Sequence, residues 1–441
     1  MFDEHRSRLL TLFEEEKNSV IYLKGGAVQY RYNTDFEYPF RQESHFLYLT
    51  GVNEPDMAAI FHCGSGEYCL VVPRRDTQFA IWMGYIRSLD DYSNTYKPDQ
   101  VIYSDDVSSW LSKAAPKTVH CLPGAEDDVK QLGFTPETGY LQDALAYCRV
   151  IKSKDEINCM KKAAEVANGA HLELMQSVRP GIHEYEMKAI FDYHTTRCGL
   201  IHAPYSGIFA SGRGSAILHY TENSKMLHDG ELILVDAGAE YKGYAADVTR
   251  TYPVGGTFSP LQSDLYDIVL EAQSTALNMI RPGNKMEDLH LAAARIIITG
   301  LRDCRLIHGD IEDMMEENIF ALFFPHGLGH FLGLDTHDVG GYPKGTAKID
   351  RPGLRFLRAR RTFESGMVLT IEPGLYFIPA LLEPAFQEKK SALFLNAGRL
   401  QPLYDFGGIR IEDNVIVRKD GMENLTTIPK SRRELQDIIY K

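Results

Sequence analysis

Two halves of this 441-residue chain repeat one design, and the repeat limits the folds open to it. A helix-like run twice ends in Arg-Pro-Gly before a further helical stretch (178–181 then 183–194, and 280–283 then 286–299). Each half also carries an aliphatic strand that closes on an acid two residues before a glycine, Asp236 in one half and Glu372 in the other. The shared order predicts a duplicated α-α-β unit with pseudo-two-fold symmetry and a site at the junction of its halves.

Chain length and one helix start predict two domains. A chain of 441 residues exceeds one ordinary hydrophobic core. Ser153 and Glu156 form a capping box ahead of an amphipathic run over 157–178. We therefore expect an N-terminal α/β domain over residues 1–148 and a second domain over 149–441. The alternative is an ordinary helix within one continuous domain.

Composition excludes several functional classes. Lys and Arg number 47 against 60 Asp and Glu, which gives a net charge of −13 and disfavours non-specific nucleic-acid binding. No apolar run approaches the roughly 20 residues that span a bilayer, and the acidic N-terminus lacks the apolar region of a signal peptide. The seven cysteines are scattered without a C-x-x-C pair, so neither a disulfide framework nor a thiolate zinc site is expected. These features predict a cytoplasmic protein that binds neither membrane nor nucleic acid.

A histidine cluster marks a candidate site. His326, His330 and His337 fall within twelve residues of a chain that has 15 histidines. The His-x-x-x-His spacing suggests the zinc-protease helix, but Gly327 stands where the general-base Glu would be. Gly327 and Gly329 also disfavour a helix. We therefore expect a strand or loop here, with any further metal ligands supplied from elsewhere in the chain.

Four acids on apolar runs are candidates for those ligands: Asp236, Asp247, Glu372 and Glu412. An acid in an apolar strand is costly to bury without compensation, although a single strand-end Asp can simply form a turn. Asp236 and Asp247 are eleven residues apart, which suits antiparallel strands joined by a turn at 240–243. Four carboxylates and one imidazole suit Mn²⁺, Zn²⁺, Co²⁺ or Fe²⁺. So many charges suggest two bridged ions about 3.5 Å apart.

Roughly residues 150–420 resemble a known protein family. The chain resembles the metallopeptidases of the pita-bread fold, which include methionine aminopeptidase, aminopeptidase P and prolidase. The five metal ligands of that family are Asp, Asp, His, Glu and Glu in this order, and the matching residues here are Asp236, Asp247, His330, Glu372 and Glu412. The resemblance implies an α+β fold in which an α/β N-terminal domain precedes a pita-bread catalytic domain.

Within the family the resemblance is strongest to prolidase, the Xaa-Pro dipeptidase. It rests on four segments: His337–Pro343, Pro352–Arg355, Phe40–Ser44 and Ile81–Gly84. It also rests on the long gap between Glu372 and Glu412. One segment departs from it, since Tyr220–Asn223 is more similar to aminopeptidase P. The implied activity is hydrolysis of the imide bond in Xaa-Pro dipeptides. The alternatives are an aminopeptidase P that acts on longer Xaa-Pro peptides, or a metal-free binding module on the same fold.

The resemblance also implies roles for residues around the metals. Glu372 is expected to shuttle a proton to the leaving nitrogen. His337 and His219 are expected to stabilise the tetrahedral intermediate or hold the substrate carboxylate. His326 is assigned to the wall of the pocket and grouped with the catalytic residues.

Three further residues are assigned to substrate binding. Arg358 is expected to clamp the C-terminal carboxylate of the substrate. Arg410 is expected to orient an acidic ligand, and Trp82 to face the site of a partner subunit. The alternative for Arg358 is a solvated charge in the basic segment 355–361. The implied cofactors are two divalent ions, foremost Mn²⁺ with Zn²⁺ or Co²⁺ as options, and the implied assembly is a homodimer.

Overall fold

A computed structural model describes residues 1–439, which form two compact units. The first unit spans Met1–Arg149 and the second begins at Val150. Within residues 1–439, no helix is long and apolar enough to cross a membrane.

The first unit is built on a six-stranded mixed sheet. Its strands are β1 (Ser19–Lys24), β2 (Ala58–His62), β3 (Tyr68–Val72), β4 (Gln100–Tyr103), β5 (Thr118–His120) and β6 (Pro136–Glu137). They lie in the order β4-β3-β2-β1-β5-β6. The β1–β2 and β2–β3 pairs are antiparallel, and the remaining pairs are parallel. Alternate residues of β1, such as Val20 and Tyr22, face one core cluster, as the two-residue period of a strand requires.

Short helices flank this sheet. They are α1 (Phe2–Thr11), α2 (Ser44–Thr50), α3 (Thr77–Met83), α4 (Leu89–Tyr96), α5 (Val107–Ala114), α6 (Glu126–Gln131) and α7 (Leu141–Val150). Helix α3 differs from α2, because every residue of α2 is buried whereas none of α3 is.

The first half of the second unit packs two helices beside a small sheet. Its elements are α8 (Lys154–Ser177), α9 (Glu184–Arg197), β7 (Ile208–Ser211), β8 (Leu232–Asp236), β9 (Glu240–Tyr241), β10 (Tyr244–Ala245) and β11 (Thr249–Pro253). Strand β8 lies between β7 and β11, with Thr249 opposite Asp236. Strands β9 and β10 form a hairpin whose turn residues, Lys242 and Gly243, have φ of 52° and 86°. Positive φ at both positions is what a tight hairpin turn requires.

The second half repeats this plan. Its elements are α10 (Pro260–Asn278), α11 (Met286–Asp303), α12 (Ile311–Glu316), β12 (Val368–Ile371), β13 (Gly374–Tyr376), α13 (Pro379–Gln387), α14 (Ala397–Leu400), β14 (Gly408–Arg410), β15 (Asp413–Arg418), β16 (Gly421–Asn424) and α15 (Arg432–Ile439). Helices α10 and α11 pack together as α8 and α9 do. Strand β15 lies between β12 and β16, and β13 pairs with β14.

The helix starts follow the sequence signals. The Ser153 hydroxyl accepts a hydrogen bond from the Glu156 N–H, and Glu156 accepts one from the Ser153 N–H, so the predicted capping box is confirmed. It begins α8 three residues earlier than the predicted run. Both Arg-Pro-Gly turns use glycine at positive φ, 90° at Gly181 and 97° at Gly283, before α9 and α11. The two predicted second helices are confirmed, since α9 and α11 cover nearly all of 183–194 and 286–299.

Candidate metal centre

The four candidate acids stand where strands end or change partner. Asp236 is the last residue of β8, and Asp247 lies between β10 and β11. Glu372 follows β12, and Glu412 separates β14 from β15. The apolar runs that carry Asp247 and Glu412 are therefore not continuous strands, since each run is interrupted at its acid. Because β14 pairs with β13 whereas β15 pairs with β12, the chain changes strand partner around Glu412, and Glu412 belongs to neither pair.

At this break Glu412 contacts the first half of the second unit. It forms an isolated bridge with Thr249, whose carbonyl oxygen accepts from the Glu412 N–H at 3.0 Å. Two glycines permit similar close approaches. A Cβ on Gly238 would lie 1.8 Å from the carbonyl oxygen of Ala246, and one on Gly329 would lie 1.9 Å from that of Thr370. Gly238 thus lets the chain after Asp236 pack closely on the chain before Asp247.

Three of the acids converge on His330. Its Nε2 lies 3.3 Å from Oδ2 of Asp247 and 3.7 Å from Oε1 of Glu372. Asp247, His330 and Glu412 each offer one ligand atom, and these atoms lie within 4.8 Å of one another. The Nδ1 of His330 donates to the carbonyl oxygen of Phe331 at 2.9 Å. This bond leaves the Nε2 lone pair directed at the carboxylates, the tautomer that a metal-binding histidine needs.

The donor set fits divalent cations. Asp236 and Asp247 each have one buried carboxylate oxygen that makes no well-formed hydrogen bond with any described residue. Burial of such an oxygen is costly unless a cation compensates it. Burial together with the charges of the neighbouring carboxylates raises the pKa of Glu412 well above its usual range. Burial also raises the pKa of Glu372, to about 7. Hard oxygen donors with one imidazole are the chemistry that Mn²⁺ and Zn²⁺ accept.

Arg410 connects Asp236 with its surroundings. The residue is 4% exposed, and its Nη2 donates to Oδ2 of Asp236 at 2.7 Å. Its Nη1 donates to the Tyr376 hydroxyl at 2.9 Å, and its Nε to the Thr249 hydroxyl at 3.3 Å. All three nitrogens are therefore engaged within the protein, so Arg410 orients Asp236 in this geometry.

His326 lies beside the cluster with both ring nitrogens engaged. Its Nδ1 donates to the carbonyl oxygen of Gly327 at 2.8 Å, so its Nε2 accepts from the Tyr376 hydroxyl at 2.9 Å. Burial and the neighbouring Arg410 charge lower the pKa of His326 to about 3. Its Nδ1 is also 3.9 Å from Glu372. His326 is thus a neutral part of the wall of the site.

Three residues line the more open side. The His337 ring stands edge-on to His330 with 4.5 Å between ring centroids. Burial and the neighbouring His330 and Arg358 lower the pKa of His337 to about 4. His219 also acts electrostatically on His337. The side chains of His219 and Arg358 are exposed.

Trp82 lies in the other unit, on α3, and is 79% exposed.

Sequence reasoning missed four residues that contact the cluster. The Tyr205 hydroxyl is buried, and the carboxylates of Asp236 and Asp247 act on it electrostatically. Tyr376 joins Arg410 to His326, as described above. Thr249 and Asn414 make the other two contacts, and each stands two residues after a candidate ligand. That shared spacing was a usable signal, whereas the two tyrosines resemble ordinary core aromatics in the sequence.

Comparisons with known proteins agree with this geometry. Residues 158–419 match Metallopeptidase family M24, and residues 2–120 match the Aminopeptidase P, N-terminal domain. The chain is similar to the Xaa-Pro dipeptidase of Rattus norvegicus, with 37% identity over 96% of this chain and 89% of the relative.

Solved structures are similar over the whole chain. One is an aminopeptidase of Pseudomonas aeruginosa, with a TM-score of 0.86, 32% identity, and coverage of 100% of this chain and 97% of the other. Another is a zinc-substituted aminopeptidase P of Escherichia coli in complex with product, with a TM-score of 0.85, 31% identity, and coverage of 100% and 98%. These similarities confirm the predicted α+β architecture with a pita-bread second part.

Proposed function

Because this chain belongs to metallopeptidase family M24, we propose that it is a metal-dependent peptidase that hydrolyses the imide bond of Xaa-Pro dipeptides. The observation that carries the proposal is the convergence of Asp247, His330 and Glu412 within 4.8 Å. Beside them lie buried carboxylate oxygens that have no well-formed hydrogen bond within residues 1–439. The similarity to Xaa-Pro dipeptidases over 96% of the chain supports the substrate class.

We assign two divalent ions to Asp236, Asp247, His330, Glu372 and Glu412. Mn²⁺ is our choice among the ions that suit this donor set, and the zinc-substituted relative supports a site that accepts more than one metal. When bound, such ions polarise the scissile carbonyl and acidify water. Arg410 holds Asp236 in place through its 2.7 Å bond.

We assign proton transfer between the attacking water and the leaving nitrogen to Glu372. Its carboxylate lies beside His330 and can take a proton from the attacking water and pass it to the departing nitrogen of proline. That nitrogen carries no proton of its own in the imide, so its protonation is a required step. We assign His337 and His219 to donate hydrogen bonds to substrate oxygens that gain negative charge.

Arg358 is our candidate for dipeptide selectivity. It is exposed, and no described side chain or main-chain group pairs with it, although it lies close enough to His337 to lower the pKa of that ring. A guanidinium fork suits a carboxylate. Because the terminal carboxylate of a dipeptide lies one residue beyond the scissile bond, a clamp here would exclude longer peptides.

The alternative is an aminopeptidase P that cleaves longer Xaa-Pro peptides. Two observations favour it, namely the match of residues 2–120 to the Aminopeptidase P, N-terminal domain and the similarity to solved aminopeptidases. A direct assay separates the two. Purified protein would be given Gly-Pro, Ala-Pro and an Ala-Pro-Ala peptide, each with Mn²⁺ and with EDTA.

Faster release from the dipeptides than from the tripeptide, lost in EDTA, would support a dipeptidase. Faster cleavage of the tripeptide would favour the aminopeptidase. No hydrolysis with Mn²⁺, Zn²⁺ or Co²⁺ would overturn both readings and leave the metal-free binding module.

The first unit supports a further proposal, a homodimer. Its helix α3 buries none of its residues and leaves Ile81, Trp82 and Met83 at least 61% exposed, next to an exposed Tyr85. Exposed apolar patches of this kind mark contact surfaces. We assign Trp82 to that contact. We also assign residues 1–148 and 149–441 to two domains. We assign the protein to the reducing cytoplasm, where its five buried thiols stay reduced. Sedimentation analysis of wild type and Trp82→Ala would test the dimer.

A further inference from the structure

Glu184, the first residue of α9, is a fully buried acid outside the metal cluster. It is 0% exposed, and its two carboxylate oxygens accept four hydrogen bonds. Oε1 accepts from the N–H and the hydroxyl of Ser211, at 2.8 and 2.9 Å. Oε2 accepts from the Tyr220 hydroxyl at 2.7 Å and from the Lys225 N–H at 3.0 Å. Such a carboxylate joins segments that are distant in sequence.

The segment that Glu184 holds carries His219. Tyr220 is 3% exposed and packs in a core cluster with Leu234 of β8 and Tyr376 of β13. Burial and the Glu184 carboxylate raise the pKa of Tyr220 to about 12, so its hydroxyl stays a donor. Asn223 fixes the same segment, because it accepts from the Phe209 N–H at 2.8 Å and donates to the Gly207 carbonyl oxygen at 2.9 Å.

His219 has no such support of its own. Its side chain is exposed, and no hydrogen bond joins it to any residue of the described chain. Its neighbour Tyr220 packs with Tyr376, whose hydroxyl is hydrogen-bonded to His326 and Arg410, so this segment lies beside the metal cluster. The ring of His219 also acts electrostatically on His326 and His337. Its position therefore depends on the backbone of its neighbour, Tyr220.

We propose that Glu184, acting through the Tyr220 hydroxyl, is the positioning residue that holds His219 against the substrate. The inference rests on the proposed function, in which His219 contacts substrate. It also gives the segment Tyr220–Asn223 a role. Two of its four residues are buried anchors, so its similarity to aminopeptidase P reports how His219 is held and not which peptide length is cleaved.

The chemistry of Glu184 indicates the test. A glutamine at 184 has only one carbonyl oxygen, so it can serve the Ser211 pair or the Tyr220 and Lys225 pair, but not both. Tyr220→Phe is milder, since it removes one hydroxyl and leaves three donors on Glu184. Tyr193→Phe, at a 62% exposed tyrosine of α9, is the matched control.

The kinetic experiment is a double-mutant cycle in the Mn²⁺-loaded full chain. Variants Y220F, E184Q, H219A and Y220F/H219A would be assayed with Ala-Pro, and the Mn²⁺ affinity and Tm of each measured alongside. We expect Y220F to lower kcat/KM about fivefold, as the loss of one hydrogen bond implies, with Mn²⁺ affinity unchanged. In the H219A background Y220F should add nothing, because there is no ring left to position.

A Y220F effect of the same size in both backgrounds, or an H219A variant with wild-type kcat/KM, would overturn the proposal while hydrolysis of Ala-Pro still upheld the proposed function. A second measurement does not need activity. In spectra of protein with ¹³C-labelled histidine, the His219 signal, identified by its loss in H219A, should shift or broaden in Y220F and E184Q but not in Y193F. An unchanged signal would overturn the positioning role even if the chain hydrolysed no peptide.

Discussion

The side-chain amide of Asn414 pairs with both main-chain polar groups of Asp247: its Oδ1 accepts from the Asp247 N–H at 2.9 Å and its Nδ2 donates to the Asp247 carbonyl oxygen. A reciprocal contact runs the other way, since the Thr249 hydroxyl donates to Oε2 of Glu412 at 2.7 Å. Asn414 stands two residues after Glu412, as Thr249 does after Asp247. Each half of the duplicated unit thus holds the candidate ligand of the other half.

Replacement of Asn414 by Ala is expected to weaken metal binding. Residues behind a metal ligand commonly change affinity by about 10- to 100-fold, and the loss here frees the backbone of Asp247. Calorimetric titration of the metal-free protein with Mn²⁺ measures the effect. Asn94→Ala, at an exposed position of α4, is the control, and an Asn414→Ala affinity equal to that of the control would contradict the role.

The reciprocal contacts show what the sequence could predict and what it could not. The positions of Asp236, Asp247, Glu372 and Glu412 followed from acids on apolar runs and from a family resemblance. The breaks beside Asp247 and Glu412 did not, because a strand that changes partners has the same alternating pattern as a continuous one.

Long-range hydrogen bonds were equally hidden. Tyr376 and Tyr205 look like core aromatics, and only the fold shows that one hydroxyl joins Arg410 to His326 and that the other lies beside two carboxylates. Glu184 has the sequence appearance of a first-turn acid on α9. Its four donors come from residues up to 41 positions away, which local pattern reasoning does not reach.

Arg410→Lys is expected to lower kcat/KM by about 10- to 100-fold, the range seen when a partner of a metal ligand is lost. A lysine ammonium is a single point charge and does not reproduce the fork that reaches Asp236, Tyr376 and Thr249 together. Steady-state assays with Ala-Pro at saturating Mn²⁺ measure the change. Arg418→Lys, a partly exposed arginine of β15, should keep wild-type activity; equal activity in the two variants would argue against the role of the fork.

Arg358→Ala is expected to raise KM for Gly-Pro and Ala-Pro by about 10- to 100-fold, which corresponds to a lost charge-assisted hydrogen bond. The tripeptide Ala-Pro-Ala should be affected much less, because its carboxylate lies elsewhere. Arg355→Ala is the matched control, since Arg355 is an exposed arginine of the same segment that lies 3.7 Å from Asp350. Equal effects on dipeptide and tripeptide would remove the clamp role from Arg358.

His290 is expected to limit stability in acid. It is fully buried in α11, its ring stacks on Phe324, and neither ring nitrogen has a hydrogen-bond partner among the described residues. Burial and the nearby Arg351 charge lower its pKa to about 3. The unfolded chain therefore binds a proton here below about pH 6.5, whereas the folded chain does not. Stability must fall as pH falls through that range.

The variant His290→Phe removes this group. Denaturant titrations of the Mn²⁺-loaded protein at pH 7 and pH 5 should show that wild type loses about 2 kcal/mol more than the variant on acidification. His308→Phe, at an exposed histidine, should behave as wild type. A loss of the same size in His290→Phe would contradict the assignment of acid sensitivity to this ring.

Removal of metal is expected to add a contribution to stability whose pH dependence has the opposite sign. Burial, followed by the charges of Asp247 and Glu372, raises the pKa of Glu412 well above its usual range in the metal-free protein. Burial likewise raises the pKa of Glu372, to about 7. Between the unfolded and folded pKa values the folded state holds protons that the unfolded state has released. Through these two carboxylates, the metal-free protein should lose stability relative to the Mn²⁺-loaded protein as pH rises from about 4.5 toward 7 and beyond.

Thermal unfolding of the EDTA-stripped protein at pH 5.5 and 7.5 measures this loss, with the Mn²⁺-loaded protein as reference. Glu412→Gln sharpens the test because it removes one buried charge and keeps the shape. At pH 7.5 the metal-free variant should have a higher Tm than metal-free wild type, yet it should gain less from Mn²⁺ and should not hydrolyse Ala-Pro. A metal-free variant that is less stable than wild type at pH 7.5 would show that carboxylate repulsion does not govern the stability of the empty cluster.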